Sequence, residues 1–241
     1  MQDVFPIGYD AEVFASQALA IAHTYGFQLN QTILPRLQLT PKGLVLLIKG
    51  FSPLQVDFRM AKYDKQHALI RACKPKKGMQ ILDVTAGWGR DATILASAGA
   101  HITLIERQPV MAALLENGLT RINTNAQEKS HSSPFSLSLV HQDALHYLAT
   151  LSAIHYPDVI YIDPMHPKRQ KSALVKKDMQ ALQQLFGPDQ DAKALIELAL
   201  QRSPKVVVKW PQREKALITP QESIAGKTIR FDIYNTGLKC G

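Results

Sequence analysis

Residues 79–106 read MQILDVTAGWGRDATILASAGAHITLIE, and the order of residue types in them sets the expectation for the whole chain. A short apolar run, MQILDV (79–84), leads into the turn of LDVTAGWGRDA (82–92), with Asp83 at its strand end and Gly87 and Gly89 in the turn. A helical pattern, RDATILASAG, follows at once, and a second apolar run, HITLIE (101–106), closes on an acid, Glu106. Strand, glycine turn, helix and strand in that order form the repeating unit of a parallel sheet.

The pattern continues along the chain. Further β-rich runs are FSLSLV (135–140), DVIYID (158–163) and KVVVKW (205–210). Between them lie PVMAALLENGL, DALHYLATL and the stretch from Ser172 to Gln201, all with helical apolar spacing. Near-continuous apolar strands separated by helices predict an α/β fold, a mostly parallel sheet covered by helices on both faces. The late segment KTIRFDIYNT alternates apolar and polar residues and is expected to close the sheet as an antiparallel strand. Residues 1–78 read differently: TILPRLQLTPKGLVLLIKG as two short strands around a Thr-Pro turn, and MAKYDKQHALIRACK as an amphipathic helix. They are expected to form a small α+β extension, with CKPKKGM as the boundary to a main domain over residues 79–241.

The chain has 241 residues, 46% of them hydrophobic and 20% charged, enough for a full core and against disorder. With 28 Lys plus Arg against 20 Asp plus Glu, the net charge of +8 favours a polyanionic partner, nucleic acid first. Two cysteines, Cys73 and Cys240, cannot make a disulfide framework or a cysteine zinc cluster. The first ten residues, MQDVFPIGYD, are acidic where a signal peptide would be basic, and GLVLLI is too short to span a bilayer. A soluble cytoplasmic protein is expected. None of the eight histidines falls in metal-ligand spacing, no P-loop or G-x-S-x-G occurs, and no metal is expected. His141 and His146 read as ordinary turn and helix residues.

Glycines at the first turn let a ligand approach the backbone, and an acid at the end of the second strand is placed to grip a ribose hydroxyl pair. A nucleoside-containing cofactor is therefore expected. The dinucleotide fingerprint G-x-G-x-x-G is absent, and AGWGRDA puts Arg90 and Asp91 near its third glycine. An acid there would repel a pyrophosphate, whereas Asp83, Asp91 and Asp163 suit the positive sulfonium of S-adenosylmethionine. After the third strand, in HQDALHYL, Asp143 starts a helix as an N-cap and can also accept from an adenine amine, with Ala144 offering backbone contact.

The fourth strand ends in YIDPMHP (161–167), at the edge where ligands bind in open α/β sheets. Asp or Asn, Pro, any residue, then an aromatic resembles the signature of amino-methyltransferases. The Asp163 carboxylate and the Pro164 carbonyl can accept from an exocyclic NH₂ and align its lone pair with a methyl group. His166 holds the slot where that pattern usually has Phe or Tyr, and His166 or Met165 would pack on an unstacked base. Next comes PKRQKSALVKK, in which Lys168, Arg169, Lys171, Lys176 and Lys177 have no acid among them and are expected to hold RNA phosphates. Lys205, Lys209, Arg213 and Lys215 are candidates to extend the same surface.

Taken together, DVTAGWGRDATILASAGAHITLIER, YIDPMHPKRQKSALVKK, FGPDQDA and the terminal RFDIY resemble the bacterial 16S ribosomal RNA guanine-N2 methyltransferase family designated J, which modifies guanine 1516. LTPKGLVL and VDF, in the first 78 residues, look like that family's N-terminal region. The resemblance implies a class I (Rossmann-like) methyltransferase with a seven-strand-type sheet. It implies S-adenosylmethionine contacts at Arg90, Asp91, Glu106, Arg107, Asp143, Ala144 and Asp163, and 16S ribosomal RNA or the small ribosomal subunit as partner. Arg107 and the identity of the base come from the resemblance alone, since nothing in spacing or charge separates guanine N2 from adenine N6. Two rivals stand beside it: an N6-adenine methyltransferase on DNA or RNA, and a non-catalytic RNA-binding module. A nicotinamide oxidoreductase is disfavoured by the glycine pattern and Asp91.

Overall fold

The computed structural model describes residues 4–58, 63–128, 136–165, 180, 184–187 and 189–238. Along the chain come β1 (Pro6–Tyr9), α1 (Ala15–Tyr25), β2 (Gln28–Leu29), β3 (Arg36–Thr40), β4 (Gly43–Leu47) and α2 (Ala68–Cys73). There follow β5 (Gln80–Asp83), α3 (Arg90–Ala96), β6 (His101–Glu106), α4 (Pro109–Glu128), β7 (Ser136–His141) and α5 (Ala144–Thr150). Last are β8 (Val159–Ile162), α6 (Ala192–Ala199), β9 (Lys205–Pro211), β10 (Glu222–Ala225) and β11 (Ile229–Asn235). The chain divides into two compact units. One gathers Met1–Phe58, Gln108–Ser132 and Pro167–Pro188, the other Arg59–Arg107, Ser133–His166 and Asp189–Gly241.

The first unit holds a four-stranded sheet in the order β2-β1-β3-β4. The Thr-Pro turn forms where the sequence places it: β3 and β4 pair antiparallel with Thr40 opposite Gly43, and the Thr40 hydroxyl donates to the Gly43 carbonyl at 2.8 Å. β1 and β2 escape a sequence reading because PIGY opens on Pro and carries Gly, and β2 is only two residues long. β1 nevertheless pairs parallel with β3, Ile7 opposite Leu37. Ile7, Leu37, Leu39, Leu44 and Leu46 are fully buried, each worth about 1.5–3 kcal/mol over an exposed side chain. α4 opens on Pro109, whose fixed φ suits a first helical turn, and it packs on β4 and α1. Its Asn117 side-chain Oδ1 accepts from the Leu44 N–H at 2.9 Å.

The second unit holds a seven-stranded sheet in the order β10-β11-β9-β8-β5-β6-β7. Every pairing from β7 to β9 is parallel, and β11 runs antiparallel to both β9 and β10. The expected closing strand therefore lies one place inside the edge. Asp232 of this strand, 1% exposed, accepts from the Arg230 guanidinium of the same strand at 2.7 Å and from the Ser223 hydroxyl of β10 at 2.6 Å. β10 itself, ESIA, buries one residue of four and leaves no apolar run to read.

Side-chain alternation sorts the two faces. Leu82, Ile160 and Val206 stand opposite one another on adjacent strands and share a core with Leu148 of α5 and Leu195, Ile196 and Ala199 of α6. Asp83, Tyr161 and Val207, one residue along, face the other side, where Tyr161 reaches Asp91 of α3. α2 packs on α3, β10 and β11. It is shorter than the expected helix. Asp64 makes a turn instead, accepting from the N–H groups of Gln66 and His67 through its carboxylate and carbonyl. From β5 the chain steps to β6 on one side while β8 pairs on the other, so the order reverses between β5 and β8, where ligands bind in such sheets.

Candidate active site

The carboxyl ends of β5 and β8 are tied by Thr85. Its hydroxyl oxygen accepts from the Asp163 N–H at 2.6 Å, and its own N–H donates to the Asp83 carboxylate at 3.2 Å. The Val84 N–H donates to the Tyr161 carbonyl, so backbone and side chain both fix this edge. Beyond it the turn tightens through Gly87 and Gly89, whose φ values of 51° and 68° are ones a side chain would strain. The Gly87 N–H donates to Glu106 at 3.1 Å, a carboxylate only 7% exposed at the end of β6. Gly89 then caps α3, putting Arg90 and Asp91 in its first turn.

Three carboxylates and one ammonium meet here. Asp91 accepts from the Tyr161 hydroxyl at 2.6 Å and from Lys209 at 2.8 Å; the same Lys209 donates to Asp163 at 2.8 Å. Burial and then the Asp91 charge push the Asp83 carboxyl up to about 8, against a smaller lowering by the Thr85 N–H. Burial also pushes Asp163 up, to about 6, with Lys209 opposing that rise. Lys209 is held firmly charged, because the attraction of Asp163 and Asp91 outweighs its own burial. Lys209, a candidate for the RNA-binding surface, is instead paired with two carboxylates at the carboxyl ends of the strands. Lys205 starts the same strand and so stands at the opposite edge of the sheet. The acid cluster also carries its own cation, which offsets part of the negative field expected at a bound sulfonium.

Around the rim, Asp143 caps α5, accepting from the His146 N–H at 3.0 Å, with Ala144 buried beside it. Arg107 makes ion pairs with Asp189 and, at 2.6 Å, Asp191, and lies 3.8 Å from Asp143. Asp189 is bonded to Met165 twice, accepting from its N–H at 2.6 Å and donating its own N–H to the Met165 carbonyl at 2.9 Å. Arg107 therefore braces the segment after Asp163 through Asp189. Of the expected site residues, Asp83, Gly87, Gly89, Arg90, Asp91, Glu106, Arg107, Asp143, Ala144, Asp163 and Pro164 all lie in this one unit, at or next to the carboxyl ends of its strands. His166, Lys168, Arg169, Lys171, Lys176 and Lys177 lie outside the described residues.

Sequence reasoning passed over Thr85, Tyr161, Asp189 and Asp191, and it read Lys209 only as surface charge. A signal for Lys209 was present: a lysine inside the buried strand KVVVKWP needs a partner. Asp189 and Asp191 stand in FGPDQDA, where nothing in the local pattern points to an arginine far away in the chain.

The residues present fit S-adenosylmethionine: a buried carboxylate, Glu106, ends β6, the Asp143 carboxylate caps α5, and a β-carbon added at Gly87 would meet nothing nearer than the Thr85 carbonyl at 3.8 Å. Among the described residues no group of three His, Cys, Asp or Glu is arranged to hold a metal. No described helix is long and apolar enough to cross a membrane.

Comparison with known proteins agrees with this geometry. Residues 16–236 match the family described as "Putative SAM-dependent methyltransferase". A ribosomal RNA small subunit methyltransferase J of Legionella pneumophila is 48% identical across 97% of both chains. One of the same name from Thioalkalivibrio sulfidiphilus is 39% identical across 96% of this chain and 97% of its own. The crystal structure of a SAM-dependent methyltransferase from Neisseria gonorrhoeae superposes with a TM-score of 0.73, at 25% identity, covering 97% of this chain and 98% of that one. With a seven-stranded mixed sheet and a glycine turn facing buried carboxylates, the chain belongs to the ribosomal RNA small subunit methyltransferase J family of S-adenosylmethionine-dependent enzymes.

Proposed function

We propose that the chain transfers a methyl group from S-adenosylmethionine to the exocyclic N2 of a guanine in 16S ribosomal RNA, guanine 1516 by family resemblance. The observation that carries this reading is Asp163, set at the switch point between β5 and β8, fixed through its N–H by Thr85 and through Oδ2 by Lys209. Bound S-adenosylmethionine supplies an electrophilic methyl group, its sulfur leaving as a neutral thioether when the amine lone pair takes the methyl. Asp163 and the Pro164 carbonyl accept from the two N–H groups of the amine and aim its lone pair. One of those protons is lost after transfer, to the Asp163 carboxylate directly or through water.

Asp83, Gly87, Gly89, Arg90, Asp91, Glu106, Arg107, Asp143 and Ala144 form the cofactor side in this reading. Arg107 acts partly through its pairs with Asp189 and Asp191. His166 stacks on the base, and Lys168, Arg169, Lys171, Lys176 and Lys177 hold phosphates. Residues 79–241 carry the transfer, with 1–78 as an N-terminal extension. The work is done in the cytoplasm, on 16S ribosomal RNA or the small subunit.

The test is transfer from labelled S-adenosylmethionine to ribosomal RNA and to small subunits from cells lacking the protein, followed by nucleoside digestion. Label in N2-methylguanosine supports the reading. Label in N6-methyladenosine keeps the geometry and overturns the base, and no transfer to either substrate by cofactor-loaded protein refutes both.

A further inference from the structure

Lys209 is shared by two carboxylates at the reacting edge, Asp91 and Asp163. Its ammonium lies 2.8 Å from Oδ2 of Asp91 on α3 and 2.8 Å from Oδ2 of Asp163 after β8. The Asp91 oxygen it bonds is the one that also accepts from Tyr161, so Asp91 is anchored and holds the ammonium in turn. Asp163 is bonded differently. Its Oδ2 is taken by Lys209, its N–H by Thr85, and its Oδ1 takes no hydrogen bond among the described residues. One carboxylate oxygen is thus fixed and the other left for a ligand. Lys209 projects from β9, a strand whose neighbours β8 and β11 fix its backbone on both sides, so the ammonium is placed by the sheet and not by a loop.

We propose that Lys209 is the positioning residue of the transfer, clamping Asp163 so that Oδ1 faces the substrate amine and keeping that carboxylate ionised to accept its proton. The inference rests on Asp163 being the amine acceptor. A neutral carboxylic acid at Asp163 would offer the amine an O–H donor where it needs an acceptor, and it could take up no proton after transfer. The groups around Asp163 pull in opposite directions. Burial favours its neutral form, as do the acids Asp91 from α3 and Asp189 from the segment before α6; Asp83 on β5 is itself pushed up to about 8, and Tyr161 on β8 is spent on Asp91. Lys209 is the described cation that opposes them directly. An opposite charge at hydrogen-bond distance lowers a carboxyl by about one to three pH units, so its loss should move the ionisation of Asp163 into the neutral range or above.

The experiment measures single-turnover methyl transfer to unmodified ribosomal RNA, at saturating S-adenosylmethionine, from about pH 5.5 to about pH 8.5. It compares wild type with Lys209→Met, Lys209→Arg and Asp163→Ala, and records thermal melting and cofactor affinity for each. Lys209→Met should lose roughly 2- to 100-fold in rate at pH 7, with its acid limb displaced upward by about one to three pH units and much of the rate regained at the alkaline end. Lys209→Arg keeps the charge and should return the limb to the wild-type position with a partial rate. A Lys209→Met limb at the wild-type pH overturns the proposal, as does a rate loss confined to cofactor affinity. Should Lys209→Met fail to fold, the Arg variant decides: a wild-type limb supports the clamp, a displaced one contradicts it. A fully active Asp163→Ala would instead overturn the acceptor reading, whatever the lysine variants do.

Discussion

Asp83→Asn should change how the stability of this protein depends on pH. Asp83 is 2% exposed at the end of β5, and the hydrogen bond it accepts from the Thr85 N–H is long, at 3.2 Å. Burial and the neighbouring Asp91 push it up to about 8, from 3.8 for a free side chain. The folded chain therefore holds the proton more tightly than the unfolded chain does. Its contribution is fully present below about pH 4 and is withdrawn as pH climbs toward 8, because only the unfolded chain gains by ionising across that window. With each pH unit worth about 1.4 kcal/mol, the loss is on the order of 5 kcal/mol between those limits. Asparagine keeps the shape and the acceptor for Thr85 and has no proton to lose. Urea unfolding at pH 5, 6, 7 and 8 should show wild type falling relative to Asp83→Asn by at least about 2 kcal/mol across the series. Parallel curves for the two proteins would mean that Asp83 is ionised in the fold at neutral pH, and the account of a neutral carboxyl beside Asp91 would be wrong.

Thr85→Val removes the acceptor of the Asp163 N–H and should cost about 1–3 kcal/mol while slowing transfer with little change in cofactor affinity; a wild-type rate would show that Thr85 does not hold the edge. Glu106→Ala takes the carboxylate from the Gly87 N–H and, in the proposed reading, from the ribose, and calorimetry should find S-adenosylmethionine bound at least ~10-fold more weakly. Unchanged affinity would place the ribose elsewhere. In the first unit, a β-carbon at Gly118 of α4 would lie 2.8 Å from Val56 and 3.0 Å from the Phe58 ring. Gly118→Leu should accordingly destabilise by about 1–3 kcal/mol in urea, despite the better helix propensity of leucine, and a stabilised variant would refute the close packing.

The central strands were readable because they are buried on both faces and so appear as near-continuous apolar runs, as in DVIYID and KVVVKW. β10 and β1 were not: an edge strand with one buried residue, and a strand carrying Pro and Gly, have no such run. Asp83, Asp91, Glu106 and Asp163 could be named as site residues because each acid sits next to a strand end or a glycine turn, and that position is local in sequence. Their partners were another matter. Lys209 lies 46 residues from Asp163 and 118 from Asp91, and Arg107 lies 82 from Asp189. Strand order alone brings β9 beside β8, and only that neighbourhood turns a lysine that looks like RNA-binding charge into a clamp on two carboxylates. Charge reads from sequence; the company it keeps comes from topology.

The most direct test of the central claim, that Asp163 presents the guanine amine to the methyl group, is the single-turnover rate of Asp163→Ala on unmodified 16S ribosomal RNA at saturating S-adenosylmethionine. Loss of both the acceptor and the alignment it provides should slow N2-methylguanosine formation by ~100-fold or more, with the fold intact by melting. Transfer within a few-fold of wild type would contradict it.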